Sequence, residues 1–298
     1  MSHIETPPRP GRPAPSTDTP ALEVRGLVKS FGDVRAVAGL DLAVRRGEAL
    51  GLLGPNGAGK TTTLRILSTL LAPDDGDVRV LGLDPRTEGA ALRGLIGVVP
   101  QEIALYGGLT AAENLSFFGE LSGLSGAHLA ERVDWGLATA GLTDRRASLV
   151  DGFSGGMKRR LNLVAALLHE PELVFLDEPT AGIDPQSRNH VFEQVEAIHA
   201  AGATLVYTTH QMGEVERLCD RIAIMDRGAV VADGTLDELR DLDAVRAGAG
   251  VGLRHAPDDD LEAAARLLRE HGFEAEVRGA DVDLETIFLA LTGRALRD

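Results

Sequence analysis

The sequence predicts an α/β protein built on a parallel β-sheet, and three observations support that fold class. Short apolar runs at Glu48–Leu53, Leu173–Asp177 and Ala203–Thr208 have the length and composition of buried strands. Stretches with apolar residues at helical spacing separate these runs. A glycine-rich segment, Gly54–Thr61, joins the first run to a helix. Strands that alternate with helices are typical of a parallel sheet with helices on its faces.

The first elements of the chain are predicted to be strands. Apolar residues recur between Leu22 and Phe31 and between Val34 and Val44, ahead of a turn at Gly47. After the glycine-rich segment, a helix is predicted because Leu64, Leu67 and Leu71 recur at helical spacing.

The middle of the chain is predicted to be helical. Thr110 and Glu113 have the three-residue spacing of a capping box, and helices are expected over Ala111–Leu168. Near the end of the main domain, Ile222–Met225 and Ala229–Ala232 flank a short turn, which predicts a hairpin at the sheet edge. A further predicted helix carries Val191, Val195 and Ile198 on one face.

Composition and charge limit the classes of function. The 298 residues are 44% hydrophobic and 25% charged, as in a globular protein with one large core and a small second one. The formal net charge of −15 argues against a nucleic-acid partner, because such binding depends on clustered Lys and Arg. With Cys219 alone no intrachain disulfide can form, which favours a reducing compartment. No run approaches the roughly 20 apolar residues of a membrane span, so any membrane role is expected to need a partner.

Changes in composition and hydrophobic pattern divide the chain into three segments. Residues 1–20 are rich in proline and are predicted to be a disordered tail. Residues 21–234 hold the alternating strands and helices. Residues 235–298 are predicted to form a small α+β accessory domain with two helices. The first of these helices carries Leu261, Ala264, Ala265 and Leu268 and ends at Gly272, and the second carries Leu284, Ile287, Phe288 and Leu291.

The glycine-rich segment predicts a nucleotide site. Gly54–Thr61 reads GPNGAGKT and matches G-x-x-x-x-G-K-[ST] between a predicted strand and a predicted helix. Backbone N–H groups of such a loop surround phosphates, and the helix N-terminus adds partial positive charge. Lys60 is expected to reach the β- and γ-phosphates, Thr61 to offer its hydroxyl to Mg²⁺, and Thr62 to bond the α-phosphate. The alternative is a plain glycine-rich turn. The candidate nucleotide-binding residues are Gly54, Pro55, Asn56, Gly57, Ala58, Gly59, Lys60, Thr61 and Thr62.

Two carboxylates end the strand LVFLDE. Successive strand side chains point in opposite directions, so Asp177 and Glu178 are expected to have different roles. Asp177 is the candidate Mg²⁺ ligand, directly or through water. Glu178 is the candidate base that accepts a proton from the water attacking the γ-phosphate. A solvated strand end is the alternative for this pair.

These motifs occur together with VVPQE, FSGGM, AGIDP and a histidine after ATLVYTT, in an order that resembles the ATP-binding subunits of ABC transporters. The resemblance covers about Leu22 to Gly234. It implies a P-loop NTPase fold with a RecA-like core, an antiparallel β subdomain and a helical subdomain. It also implies ATP and Mg²⁺ as ligands and ATP hydrolysis as the activity.

The resemblance assigns roles to three more residues. Gln101 matches the glutamine loop, which in the family contacts Mg²⁺ or the attacking water and borders the surface that meets the membrane subunit. His210 matches the histidine that reaches the γ-phosphate and holds the water and Glu178 in place. Phe31 occupies the position of the aromatic residue that stacks on adenine. A surface loop residue is the alternative for a lone glutamine such as Gln101. A core position is the alternative for Phe31, and a structural role is the alternative for a lone histidine.

The segment FSGGM resembles the family's signature sequence, which grips the γ-phosphate bound by the other subunit. The candidate residues are Ser154, Gly155 and Gly156. Phe153 and Met157 stand where the commonest form has leucine and glutamine, and this departure leaves open how strongly the dimer closes.

Two neighbouring segments have simpler interpretations beside the functional ones. Asp184 matches the family's D-loop aspartate, which orders the dimer interface, and a helix-starting Asp-Pro turn is the alternative. Lys158, Arg159 and Arg160 are predicted to form a solvated face.

The resemblance also implies how the chain works. One phosphate loop and one signature imply a head-to-tail dimer of two copies that couples ATP binding to a separate transmembrane permease subunit at the cytoplasmic face of the membrane. The segment SGGMKRRL and the ending at Leu284–Asp298 resemble the branch that serves ABC-2 exporters, including daunorubicin-resistance ATPases. That branch implies a motor subunit for export, with drug, lipid and antibiotic cargo all open.

Three rival functions differ in what they require. An importer ATPase would use the ending as a regulatory domain. A soluble ABC ATPase that acts on ribosomes or DNA ordinarily has two fused ATPase units or a long coiled-coil insert. A GTP switch needs a guanine-reading Asn/Lys-x-Asp pattern, which has no suitable place in this sequence.

Overall fold

The computed structural model describes residues 19–242, Arg266 and 284–292. The chain divides into two compact units, the first ending at Asp233 apart from two terminal residues and the second covering Gly234–Leu296. The strands are β1 (Leu22–Phe31), β2 (Val34–Val44), β3 (Ala49–Leu53), β4 (Asp75–Val80), β5 (Ile96–Val99), β6 (Leu173–Asp177), β7 (Thr204–Thr209), β8 (Arg221–Asp226) and β9 (Ala229–Gly234). The helices are α1 (Lys60–Leu67), α2 (Gly89–Arg93), α3 (Ala111–Leu121), α4 (Gly126–Thr139), α5 (Gly155–Ala165), α6 (Pro185–Ala200), α7 (Met212–Leu218), α8 (Leu236–Arg240) and α9 (Leu284–Thr292), and short 3₁₀ helices lie at Thr143–Arg145 and Val150–Gly152.

A six-stranded sheet of order β5-β6-β7-β3-β8-β9 forms the centre of the first unit. Strands β3, β5, β6, β7 and β8 are parallel, which confirms the predicted fold class. Leu53 pairs with Thr209 and Asp177 pairs with Thr208. The carboxyl ends of three adjacent strands therefore meet at one edge, where ligands bind in open parallel sheets.

A second sheet has the order β2-β1-β4 and is antiparallel, as the family resemblance implied. Leu22 and Val24 pair with Val80 and Val78 and belong to a buried cluster that extends to the parallel sheet. Strand β4 was not predicted from the sequence, because Asp75, Asp77 and Arg79 alternate with only two buried valines.

Helices α3, α4 and α5 form the predicted helical region around their own apolar cluster. Thr110 and Glu113 make both hydrogen bonds of the predicted capping box at the start of α3. The prediction of a solvated face at residues 158–160 was wrong for Arg159, whose side chain is buried. Its guanidinium donates to the carbonyl oxygens of Pro100 at 3.1 Å and Ala181 at 3.3 Å, so three segments meet at one side chain.

The predicted hairpin is present, since β8 and β9 are neighbours joined by a tight turn at Arg227–Gly228. Both turn residues have positive φ, as a two-residue hairpin turn of this kind requires. Helix α1 ends at Leu67, so Leu71 packs against the core from outside the helix.

In the second unit, Thr235 caps α8 through a capping box with Glu238. Helix α9 buries Leu284, Ile287 and Phe288 along one face, as its spacing predicted, whereas Leu291, predicted for the same face, is half-buried. The predicted helix around Leu261–Leu268, apart from Arg266, and nearly all of the proline-rich tail lie outside the described residues. Within the described ranges no helix is both long enough and apolar enough to cross a membrane.

Candidate active site

The ends of β3, β6 and β7 bring the predicted loop, the acidic pair and the histidine to one place. Gly54–Thr61 follows β3, Glu178 follows β6, and His210 follows β7. The amide of Gly54 lies 3.4 Å from the carbonyl oxygen of Thr209 and donates to it, so the first residue of the loop is hydrogen-bonded to the end of β7, the strand that His210 follows.

The loop turns sharply into α1 at Gly59. This residue caps the helix with φ of 104°, a left-handed conformation that favours glycine. A side chain at this position would also clash with the backbone oxygen of Ala36. The first turn of α1 therefore points its free N–H groups into the loop, which is the arrangement that binds anions.

Lys60 lies buried at the centre of this loop. Its Nζ donates to the carbonyl oxygens of Gly54 at 2.6 Å and Pro55 at 3.1 Å, and lies 3.6 Å from Oε1 of Glu178. Burial lowers the pKa of Lys60, while the negative charge of Glu178 opposes that shift.

Thr61 and Asp177 face each other beside the loop. Oγ1 of Thr61 lies 3.1 Å from Oδ1 of Asp177, and Thr208 Oγ1 donates to the same carboxylate oxygen at 2.7 Å. Hydroxyl and carboxylate oxygens suit Mg²⁺, which proteins commonly bind through one or two such groups together with phosphate oxygens. Within the described residues, no group of three or more His, Cys, Asp or Glu could hold a metal ion by itself.

Glu178 has φ of 44° and lies just beyond the end of β6. Its direction is therefore set by a left-handed turn, and not by the strand alternation that predicted its separation from Asp177. Its amide donates to both the backbone oxygen of Thr208 at 3.1 Å and the side-chain oxygen at 3.2 Å. These bonds fix the backbone of Glu178 at the end of β6.

The Glu178 carboxylate contacts three of the other predicted site residues, Lys60, Gln101 and His210. Gln101 donates through Nε2 to Oε2 at 3.3 Å from an exposed position. Nδ1 of His210 lies 3.2 Å from Oε1 without the alignment of a hydrogen bond. Lysine, glutamine and histidine thus surround one carboxylate.

The signature residues lie apart from the loop. Ser154 caps α5, since its hydroxyl oxygen accepts a hydrogen bond from the Met157 amide at 3.2 Å. Gly156 packs against Ser187, where a side chain would clash, whereas Gly155 is exposed and faces open space. Within residues 19–242 no hydrogen bond joins the segment 154–156 to the loop 54–61.

Phe31 ends β1 with its side chain 52% exposed, which excludes the alternative of a core position. The Lys29 ammonium lies 5.7 Å from the ring centroid. Thr62 is half-buried in the first turn of α1, and Asn56 and Gly57 are exposed at the loop tip.

Two buried residues at this site were not predicted from the sequence. Thr208 contacts both Asp177 and the Glu178 amide. Glu214 accepts hydrogen bonds from three hydroxyl groups next to the catalytic candidates. A pair of threonines at the end of an apolar strand was the available signal for Thr208, and an acidic residue on a buried helix face was the signal for Glu214.

The sequence pattern of the family described as "ABC transporter" matches residues 37–181. The linearmycin resistance ATP-binding protein LnrL of Bacillus subtilis (strain 168) is 48% identical over 73% of this chain and 70% of its own length. The chain belongs to the ABC transporter family. The daunorubicin resistance ATP-binding protein DrrA3 of Streptomyces coeruleorubidus is 41% identical over 92% of this chain and 96% of its own length. The Nod factor export ATP-binding protein I of Cupriavidus metallidurans (strain ATCC 43123 / DSM 2839 / NBRC 102507 / CH34) is 38% identical over 94% and 100%.

Solved structures of ABC proteins share the fold. The ATP-binding subunit of an ABC transporter superposes with a TM-score of 0.69 at 33% identity, over 82% of this chain and 98% of that chain. A dimeric post-hydrolysis state of the ATP-binding cassette MJ0796, bound to ADP and Pi, superposes with a TM-score of 0.66 at 25% identity, over 72% and 98%. The predicted family, the P-loop ABC ATPase fold and the ATPase activity are confirmed, and ATP is the nucleotide of this ABC subunit.

Proposed function

We propose that this chain is the ATP-hydrolysing motor of an exporter that works as a head-to-tail dimer with a separate transmembrane permease at the cytoplasmic face of the cell membrane. One observation carries the catalytic part of this proposal: the Glu178 carboxylate contacts Lys60, Gln101 and His210 at the mouth of the loop. The names of the relatives, which refer to resistance and export, support the direction of transport.

Glu178 acts as the base in this proposal. Its carboxylate accepts the proton of the water that attacks the γ-phosphate, and the imidazole of His210 orients that water. Lys60 exchanges its bonds to the loop carbonyls for bonds to phosphate oxygens. No covalent intermediate on the protein is needed. The rate enhancement therefore comes from charged groups already arranged around the transferring phosphoryl group.

Thr61 and Asp177 would hold the Mg²⁺ ion, and Gln101 would contact it from the exposed side. When bound, Mg²⁺ supplies positive charge that neutralises the phosphate oxygens. Thr208 keeps the Asp177 carboxylate directed toward Thr61 through its hydrogen bond of 2.7 Å.

Each ATP site is proposed to be shared between two copies. The free N–H groups and partial positive charge at the start of α5 would bind the γ-phosphate on the partner's loop, with Ser154, Gly155 and Gly156 in contact and Asp184 ordering the interface. The exposure of Gly155 supports this role, since no residue in the described part of the chain covers it.

The shared site can be tested by mixing two inactive variants. Lys60→Ala damages the loop, and Gly155→Asp places a negative charge where the phosphate would bind without a clash in the fold. A mixed dimer then has one site with both lesions and one intact site. Random mixing should restore roughly a quarter of the wild-type ATPase rate, because half the dimers are mixed and each keeps one of two sites.

The matched control mixes Lys60→Ala with Glu178→Gln. Both lesions lie on the same half of a site, so every site in every dimer is damaged and no rate should return. Recovery in this control, or no recovery in the first mixture when mixed dimers are demonstrated by native mass spectrometry, would contradict the shared site.

The permease is proposed to dock in a groove next to the glutamine loop. A cavity of about 610 Å³ lies there, with mainly apolar walls. Leu121 on its rim is 74% exposed, and the buried Nδ2 of Asn162 has no hydrogen-bond partner among the described residues. An apolar helix of the permease could cover Leu121, and a backbone or side-chain oxygen on that helix could accept a hydrogen bond from Nδ2 of Asn162. Leu121→Asp should therefore abolish transport while ATP hydrolysis by the isolated subunit stays unchanged.

Drug or antibiotic export is the proposed task. Deletion of the gene in its native host should increase sensitivity to an exported compound, and wild-type chain should restore resistance where Glu178→Gln does not. Loss of solute uptake with unchanged drug sensitivity would favour the importer alternative. No transport defect of either kind would favour a soluble ABC ATPase.

The nucleotide-binding domain is proposed to cover residues 21–234 and the accessory domain residues 235–298. The division of the chain between Asp233 and Gly234 into two compact units supports this boundary. The tail before residue 21 is proposed to stay disordered because of its proline content.

A further inference from the structure

A buried carboxylate, that of Glu214 in α7, lies behind the candidate catalytic residues. Only 3% of this residue is exposed. Oε1 accepts a hydrogen bond from Oγ1 of Thr180 at 2.5 Å. Oε2 accepts one from Oγ1 of Thr209 at 2.7 Å and one from the phenol of Tyr207 at 3.0 Å.

These three hydroxyl groups are the neighbours that offset the burial of Glu214. Among the described residues, no Lys, Arg or His forms an ion pair with it. A buried carboxylate is tolerated only when it is well hydrogen-bonded, and it accepts without donating. Burial, reinforced by the charge of Glu214, raises the pKa of Tyr207 well above its usual range, so the phenol keeps the proton that it donates. Each hydroxyl is therefore held in one direction.

The two carboxylate oxygens of Glu214 bind two different segments, one that carries Glu178 and one that carries His210. Thr180 follows Glu178 by two residues, and Thr209 directly precedes His210. Nδ1 of His210 lies 3.2 Å from Oε1 of Glu178. A shift of either segment would change that separation.

We infer that Glu214 is a positioning residue for ATP hydrolysis, which fixes the distance and orientation between Glu178 and His210 by binding Thr180 with one oxygen and Thr209 with the other. This inference rests on the catalytic roles proposed for Glu178 and His210. The competing interpretation is that Glu214 only anchors α7 to the sheet. That interpretation predicts an effect on stability and none on the chemical step of folded protein.

Glu214→Gln tests the inference, because it keeps the shape of the side chain but turns one acceptor into a donor. We expect the kcat of folded dimer to fall roughly tenfold or more, since small displacements of catalytic groups have effects of this size. The affinity for ATP should change by less than about threefold, because Lys60 and the loop are untouched. Glu216→Gln is the matched control: Glu216 lies on the same helix, is exposed, and should leave both quantities unchanged.

A second pair of variants covers the case in which Glu214→Gln does not fold. Thr180→Val removes a single hydroxyl at nearly constant shape, and Thr180→Ser keeps it. We expect a lower kcat with unchanged ATP affinity for valine and restoration by serine. A wild-type kcat in folded Glu214→Gln, or in Thr180→Val if Glu214→Gln does not fold, would overturn the inference whatever the melting temperature.

The positioning role is separated from the proposed catalytic roles by a double-variant cycle. If Glu214 acts through the histidine segment, adding Glu214→Gln to His210→Ala should slow single-turnover hydrolysis much less than it slows the wild type. Fully additive effects would overturn the positioning role while leaving the role of His210 intact. A Glu178→Gln variant that hydrolyses ATP normally would instead refute the proposed mechanism itself.

Discussion

Lys60 and Glu178 form a buried pair, with Nζ of the lysine 3.6 Å from Oε1 of the glutamate. The lysine also donates to two loop carbonyls, so its ammonium is held where phosphates of ATP would bind. The base proposed for hydrolysis and the cation proposed for phosphate binding are therefore neighbours in the fold. Loss of the lysine and loss of the glutamate should therefore cause different defects.

Lys60→Ala should weaken ATP binding itself, by roughly tenfold or more, because the loop loses its buried ammonium and keeps an uncompensated carboxylate. Titration with a fluorescent ATP analogue in the presence of Mg²⁺ measures this. Lys158→Ala serves as the control, since its side chain makes no hydrogen bond in the described part of the chain. Equal affinity in Lys60→Ala and wild type would contradict the role of Lys60.

Glu178→Gln should slow hydrolysis by about a hundredfold or more while preserving ATP binding, because the loop is intact and only the base is lost. ATP should then hold two copies together. Size-exclusion chromatography with and without MgATP measures the dimer. A variant that stays monomeric at saturating ATP would count strongly against closure of a dimer by nucleotide.

Thr61→Val should raise the Mg²⁺ concentration needed for half-maximal ATPase rate by roughly tenfold, because the metal loses a hydroxyl ligand. Thr61→Ser keeps that oxygen and should behave as wild type. A Mg²⁺ titration of both variants at fixed ATP decides the question. Identical titration curves for valine and threonine would place the metal elsewhere.

Phe31→Ala should weaken ATP binding by roughly three- to tenfold with little change in kcat, since the exposed ring would stack on adenine and touch no reacting atom. Phe31→Tyr preserves the ring face and should restore affinity. The effect appears as a change in KM measured at constant enzyme concentration. An alanine variant with wild-type KM would show that the base binds away from this ring.

Arg159→Met should lower the free energy of unfolding by about 2–4 kcal/mol, because it leaves the carbonyl oxygens of Pro100 and Ala181 without their donor. Thermal melting should shift downward by roughly 5–10 °C. Lys158→Met at the adjacent position controls for the loss of a charge. Equal melting temperatures for the two variants would show that the bonds of Arg159 contribute nothing.

The loop, the acidic pair and the strands around them could be predicted from sequence, because short apolar runs that end in glycine or carboxylate residues are typical of strands that lead into a phosphate site. Gly54–Thr61 and Leu173–Asp177 were predicted in this way, and the structure places them side by side. The short strand Asp75–Val80 could not be predicted, because its charged residues hide the alternation. Its antiparallel pairing with β1 stabilises this segment as a strand, although its composition does not favour one.

Side-chain direction was harder to predict than element type. Arg159 sits between Lys158 and Arg160, so the run of charge suggested a solvated face, yet helical geometry turns the middle residue inward. Strand alternation predicted that the side chains of Glu178 and Asp177 point in different directions. In the structure, the left-handed backbone conformation of Glu178 sets the direction of its side chain. Glu214 binds two nearby residues, Tyr207 and Thr209, but its contact with Thr180 spans 34 residues, and no local pattern contains that contact.

The strand order of the central sheet has a consequence for synthesis of the protein. Strand β7 lies between β6 and β3 but leaves the ribosome after both of them. Until β7 inserts, Leu53 lacks its pairing with Thr209 and the Gly54 amide lacks its acceptor. A nascent chain that does not yet include β7 therefore carries the phosphate loop without these backbone contacts. Competence for nucleotide arises late in translation, when most of the first unit has already been made.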